Sequence, residues 1–396
     1  MKNLKRFIPN TLFILVISVL NLNLTGCSSF NNFMLGKDNT PTPAELIEFK
    51  PELTIDTEWD SNAGSGSDGS YLEMAPFVDS DTIYTADIKG RVMAFNRKTG
   101  KKEWETDLKT SLISGPSVGG NYLVVTDQDA KLFVLDASTG KKIWRRTVSN
   151  EIFAPPTVAE GKVFVKTVDG KLYAFDEQDG KLSWMYDHGT TPLVMRAGSS
   201  PQALFGIVIV GFSDSKLIGL RADTGQLLWE KTISTPNGVS DVERMADIDA
   251  NPIIMDSVAY VAAYQQNISA MSLQSGDFLW QKKGISTFNN MVADSSTLYV
   301  VDDESIIWAI NRESGTVLWQ QKDLHNRRLT APAIMENKAL VVGDYAGYVQ
   351  WLSLTDGHII GRSRSSSSSI YAQPAVDNDT VYVLTSYGTL VAYRTT

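Results

Sequence analysis

Few residues in this chain have the type and spacing to do chemistry. There is one cysteine, Cys27. It can form no disulfide within the chain, but a thiolate is a nucleophile that can be alkylated or acylated. The three histidines, His188, His325 and His358, stand far apart with no cysteine or second histidine nearby, whereas zinc needs such ligands grouped. Asp247 and Asp249 set two carboxylates two residues apart; Ca²⁺ takes about six to eight oxygens, so the pair alone makes a poor metal site. There is no phosphate loop or nucleophile elbow, and the serine run 365–369 reads as a polar loop. No catalytic, cofactor-binding or metal-binding residue is assigned. Arg196, preceded by Leu193 and Met195, suits recognition instead. A guanidinium can grip a carboxylate or backbone carbonyls while aliphatic neighbours fill a pocket.

The elements that position these residues come from an internal repeat. Its starts are Pro76-Phe77-Val78, Pro116-Ser117-Val118, Pro156-Thr157-Val158, Pro201-Gln202-Ala203, Pro252-Ile253-Ile254, Met291-Val292-Ala293, Pro332-Ala333-Ile334 and Pro374-Ala375-Val376, separated by 40, 40, 45, 51, 39, 41 and 42 residues. Twenty-eight residues after each of the first six starts stand Trp104, Trp144, Trp184, Trp229, Trp280 and Trp319; the seventh has Ile360 there. Within a unit the pattern has period two. In the third, Lys162-Val163-Phe164-Val165-Lys166 is a strand, Asp169-Gly170 a hairpin turn, 171–176 the next strand, and Asp179-Gly180 turns the chain into Lys181-Leu182-Ser183-Trp184. With the Pro-led strand this is a four-stranded antiparallel meander, and such sheets bury both faces only by packing in a ring. The eighth unit stops at Thr396 before its turn and Trp, but 54–59 matches the missing outer strand, with Trp59 in the Trp position. The pattern predicts an all-β, eight-bladed β-propeller over 51–396, its last blade closed by the N-terminal strand. The alternative is a seven-bladed ring with a stray unit.

Composition bounds the function. A hydrophobic fraction of 43% supports a large core, and a formal charge of −9 argues against nucleic acid, whose phosphates call for a basic face. Lys2, Lys5 and Arg6 precede a mostly apolar stretch, 7–20, which Pro9 and Asn10 interrupt; it is too short and broken to span a membrane and reads as a signal peptide. Leu24-Thr25-Gly26-Cys27 resembles the lipobox of bacterial lipoproteins. That resemblance implies cleavage after residue 26, with S-diacylglyceryl and N-acyl groups on Cys27. Ser28, rather than Asp, favours the outer membrane by the sorting pattern of such lipoproteins. Loss of 1–26 removes three cations and no acid and takes the charge to −12, so contact with anionic lipid falls to the acyl chains. Residues 27–50 read as a lipidated tether.

The segment Val134-Leu135-Asp136-Ala137-Ser138-Thr139-Gly140-Lys141-Lys142-Ile143-Trp144 resembles the tryptophan-docking repeat, as does 94–104 with Asn96 at the Asp position. There the Trp side chains pack between blades; here they are Trp59, Trp104, Trp144, Trp184, Trp229, Trp280 and Trp319. Quinoprotein dehydrogenases share this repeat and hold pyrroloquinoline quinone with adjacent cysteines, Ca²⁺ and a catalytic Asp. A single Cys departs from that pattern. Lipobox, acidic propeller and repeat together resemble the propeller lipoprotein family of the outer-membrane β-barrel assembly (Bam) machinery. Residues 192–198 are similar to that family's leucine-arginine loop between blades three and four, with Met195 in place of a leucine, and 241–249 to its acidic D-x-D loop between blades four and five. These loops fall in the two longest intervals. The resemblance implies a non-enzymatic scaffold lipoprotein on the periplasmic side of the outer membrane. Leu193, Met195, Arg196, Asp247 and Asp249 would hold the periplasmic POTRA domains of the barrel-forming subunit. Nascent outer-membrane proteins are a second candidate partner. An open alternative for the loops is that Leu193 and Met195 anchor them to the propeller and Arg196 pairs with Asp247 or Asp249. The rival functions are a quinoprotein-like dehydrogenase and a generic periplasmic propeller for peptides or clients.

Overall fold

The computed structural model describes residues 41–72, 74–189, 198–234, 247–265, 267–335 and 337–395. Its strands follow from which faces must be dry. The second and third strands of each blade have neighbours on both sides, so they carry unbroken apolar runs, such as Leu123-Val124-Val125 and Val208-Ile209-Val210, all fully buried. The outer strands alternate instead. In Leu182–Asp187 only Trp184 is buried. The period-two expectation therefore holds on the outside of the ring and gives way to continuous runs inside it.

Thirty-two strands pair into eight four-stranded antiparallel sheets. Blade one is Phe77–Asp79, Thr82–Ala86, Arg91–Asn96 and Lys102–Asp107, in that order from the axis outward; blades two to seven repeat it. In blade eight, Ala375–Asp377, Thr380–Leu384 and Thr389–Thr395 are completed by Ile55–Asn62, which pairs antiparallel from Ile55↔Thr395 to Asn62↔Thr389. The N-terminal strand thus closes the last blade and covers its open edge. The hydrophobic core is a ring of eight layers between successive blades. Ala94 with Leu123 and Phe133 joins blades one and two, and Ile83 and Phe95 with Tyr382 and Leu390 joins blades eight and one.

The tryptophans show how neighbouring blades lock. Each indole Nε1 donates to a backbone carbonyl of the following blade: Trp59 to Arg97, Trp104 to Ala137, Trp144 to Glu177, Trp184 to Ala222, Trp229 to Leu273, Trp280 to Arg312 and Trp319 to Leu354, at 2.7–3.1 Å. The turn that receives the ring carries Gly100, Gly140, Gly180, Gly225, Gly276, Gly315 or Gly357. Their φ values are +67° to +79°, and an added Cβ would lie 2.4–2.9 Å from the docked indole. The Thr-Gly of the repeat is therefore needed twice, for its backbone and for its missing side chain.

Blade seven departs from the sequence expectation. Its first hairpin has three residues between Met335 and Ala339, where blade one has two between Asp79 and Thr82. The count therefore slips by one, and Gly361, not Ile360, occupies the Trp position, opposite Trp351. The pair is inverted: elsewhere a small residue such as Ala94 faces the outer Trp. Trp351 is fully buried from the inner strand and meets Tyr393 edge-on at 5.7 Å. The inversion has a reason. The blade that follows, blade eight, has chain termini where a docking turn would be. In its place Glu52 and Leu53 donate to the carbonyl of Ile360 at 2.8 and 3.2 Å.

Residues 43–50, expected to lie within the tether, are seated on blades six and seven. Ala44 N donates to His325 O at 2.9 Å, Arg327 and Arg362 donate to the carbonyls of Ala44 and Ile47, and Leu46 and Phe49 join the layer between those blades. Cys27 and residues 28–40 lie outside the described residues.

Candidate functional site

Residues 188–201 join blade three to blade four, and 233–252 join blade four to blade five. The connection from blade eight to blade one, 63–76, is as long as the first. The repeat spacing hides it because ring closure is not an interval between starts. Leu193, Met195 and Arg196 lie outside the described residues, as do 190–197 and 235–246 generally. The ends of both connections are described, and they meet.

That meeting rests on the end of strand Ile207–Gly211. A Cβ at Gly211 would lie 2.4 Å from Ile248 and 3.0 Å from the Ser199 hydroxyl, so only glycine lets both segments lie there. Ser199 N donates to Ile248 O at 3.4 Å, Ile248 N to Phe212 O at 3.4 Å, and Tyr264 N to Asp247 O at 2.9 Å. Ser200 N donates to the Asn251 side chain at 2.6 Å. At the start of the first connection, His188 Nε2 meets Asp214 at 2.9 Å and its ring lies 4.3 Å from that of Phe212. Both residues are partners that the spacing of the histidines does not reveal.

Ile248 is buried in the layer between blades four and five. In an extended segment its two neighbours turn the other way. Asp247 and Asp249 are accordingly 3% and 5% exposed, beside a cavity of about 30 Å³ also lined by Lys166, Gly198 and Phe212. They are internal groups, not a displayed acidic surface. Lys166, in sequence no more than a strand residue, is the described cation of this cluster. Its Nζ donates to Gly211 O at 2.9 Å across the blade three–four interface. Although part of the side chain meets solvent, desolvation of the ammonium lowers its pKa to about 8, against the opposing pull of Asp249 and Asp247. Burial, reinforced by the Asp247 charge and countered by Lys166, pushes the Asp249 carboxyl up to about 7. The signal for Lys166 lies in the repeat itself. At its register position the other blades carry Ala86, Thr126, Gly211, Ala262, Val301, Gly343 and Leu384, none of them charged.

The second concavity is the funnel on the propeller axis, about 470 Å³, lined by groups such as Gln202, Asn251, Asn289, Asn290 and Gln373, with Tyr71 and Tyr371 at 5.3 Å from each other. Its described lining includes no Lys, Arg, Asp, Glu or His. Pyrroloquinoline quinone carries carboxylates and is held with Ca²⁺, so these donors do not fit it. Among the described residues no three His, Cys, Asp or Glu side chains converge as a metal site.

Comparison with known proteins addresses the family. A sequence model described as outer membrane protein assembly factor BamB matches residues 57–121 and 89–321. The BamB of Legionella pneumophila (strain Paris) is 46% identical over 377 residues, 95% of this chain and 97% of that protein. The chain belongs to the BamB family. The crystal structure of BamB from Moraxella catarrhalis superposes with a TM-score of 0.78 at 23% identity, over 86% of this chain and 100% of that one. Quinohemoprotein alcohol dehydrogenase from Comamonas testosteroni gives 0.67 at 13% identity, over 86% and 76%; this is a likeness of fold alone. BamB membership and the uncharged funnel thus point away from the dehydrogenase reading that the Trp repeat left open.

Proposed function

We propose that this BamB-family propeller is a non-enzymatic scaffold lipoprotein of the outer-membrane protein assembly machinery. It is held at the periplasmic face of the outer membrane by acyl chains on Cys27, and it supports β-barrel folding and insertion. The observation that carries the reading is the 46% identity to an outer membrane protein assembly factor across 95% of the chain. Residues 1–26 act as the lipoprotein signal peptide, and the residues that follow Cys27 as the lead to the ring. The docking surface is the pair of connections around blade four. Leu193, Met195 and Arg196 meet the POTRA domains of the barrel-forming subunit, while Asp247 and Asp249 act from beneath by fixing where the connections stand.

The test is capture of purified POTRA domains. Arg196→Glu should abolish capture while circular dichroism and the unfolding midpoint stay as in the parent; undiminished capture would reject the docking assignment. Cys27→Ala should leave the membrane fraction. One observation favours client contact in addition. Leu182, Met185, Leu228, Leu279 and Leu318 are 43–57% exposed on the outermost strands of blades three to six, whose outer edges pair with no strand. Photocrosslinkers at 228 and 279 should then trap nascent outer-membrane proteins, and their failure to do so would remove that reading.

A further inference from the structure

We infer that Lys166 is a positioning residue for the docking surface, holding the facing ends of the two connections in register through one ammonium that acts on both. The consequence for docking rests on the function proposed above; the geometry does not. Lys166 ends strand Lys162–Lys166, where it pairs with Leu172 behind three buried residues, so its backbone is fixed. Its Nζ crosses to blade four and donates to Gly211 O at 2.9 Å. The first connection passes directly over it: a Cβ at Gly198 would lie 3.1 Å from Nζ. The second connection turns Asp247 and Asp249 to the same cavity, with Ile248 plugged into the core between them.

The ring supplies its own comparison. Seven blades place an uncharged residue at this register position. The exception is the blade beside which two desolvated carboxylates stand. Without the ammonium, two like charges would share a site from which water is largely excluded, and the relief open to them is protonation or outward movement of the 247–249 segment. Ser199 is hydrogen-bonded to Ile248, so movement of one connection moves the other.

The experiment compares the full-length protein with Lys166→Met and with Lys166→Met/Asp249→Asn. An apolar residue at 166 matches what other blades carry, so both variants fold. Hydrogen exchange of the amides at 198–200 and 247–250 should quicken about tenfold or more in Lys166→Met, the scale of one lost charge-assisted hydrogen bond, while the middle strands of blade three stay protected. The double variant should return both segments towards parent rates, because removing a carboxylate removes the repulsion; lost packing alone would not be rescued this way. POTRA capture should fall by about the same factor in Lys166→Met and recover in the double variant. Unchanged exchange at either segment, or no rescue, overturns the inference whatever capture does. If exchange follows the prediction but capture responds to neither Lys166→Met nor Arg196→Glu, Lys166 still positions the connections and the docking reading fails.

Discussion

Gly180→Ala and Gly161→Ala form a matched pair within blade three. Both glycines have positive φ, +67° and +72°. A Cβ at Gly161 would meet nothing within 4 Å, whereas one at Gly180 would lie 2.5 Å from the Trp144 indole. The shared backbone cost of a left-handed alanine is about 1 kcal/mol, partly offset by the stiffer unfolded chain. At Gly180 the indole must also move. That breaks the 2.8 Å bond from Trp144 Nε1 to Glu177 O, worth about 1 kcal/mol, and forces repacking that costs about 1–2 kcal/mol more. Gly180→Ala should therefore cost about 3–4 kcal/mol and Gly161→Ala no more than about 1. With a urea slope of about 3 kcal/mol/M, the midpoint followed by tryptophan fluorescence should drop by about 1 M for the first and less than about 0.3 M for the second. Equal shifts would mean that the turn glycine serves only its backbone, and the docking role of the repeat would be wrong.

Two further outcomes follow from buried polar groups. Asp249 is raised from 3.8 to about 7. Its carboxyl stabilises the fold most below about pH 4, and that contribution is lost as pH rises towards 7. Over some three units the loss has a ceiling of about 4 kcal/mol, lowered because Lys166 keeps a countercharge. Asp249→Asn should thus be more stable than the parent at pH 8, with the difference shrinking as thermal unfolding is repeated down to pH 4; a gap that widens towards acid would contradict the assignment. Trp351 Nε1 is buried with no hydrogen-bond partner, whereas Trp104 Nε1 donates to Ala137 O at 3.1 Å. Trp351→Phe removes an unsatisfied donor and should cost about 1 kcal/mol or less, whereas Trp104→Phe orphans a carbonyl and should cost about 2–3; the reverse order in urea midpoints would refute the inverted-pair description.

The eight blades, their strand order and the closure by Trp59 are legible because a repeat states each blade many times over. A one-residue insertion defeats the count in blade seven. Gly361 can be found only by pairing it across the sheet with Trp351, and pairing is not written in spacing. The site is legible in part. Asp247 and Asp249 stand out as a motif, but their burial does not, because it depends on Ile248 entering a layer formed with blade five. Lys166 looks like any charged residue at a strand end. Its meaning comes from the seven uncharged equivalents and from carboxylates that arrive about eighty residues later in the chain. The 63–76 connection goes unremarked because its length appears only once the ring is closed.

If the connections around blade four are where this scaffold holds its partner, photocrosslinking in cells from position 193, with position 161 as control, should reveal it. Residue 161 sits in the hairpin at the opposite end of blade three's strands. One dominant adduct is expected from 193, containing the POTRA domains of the barrel-forming subunit, and none from 161. Equal adducts from both positions, or none from 193 while the protein remains in the membrane fraction, would show that the partner is held elsewhere.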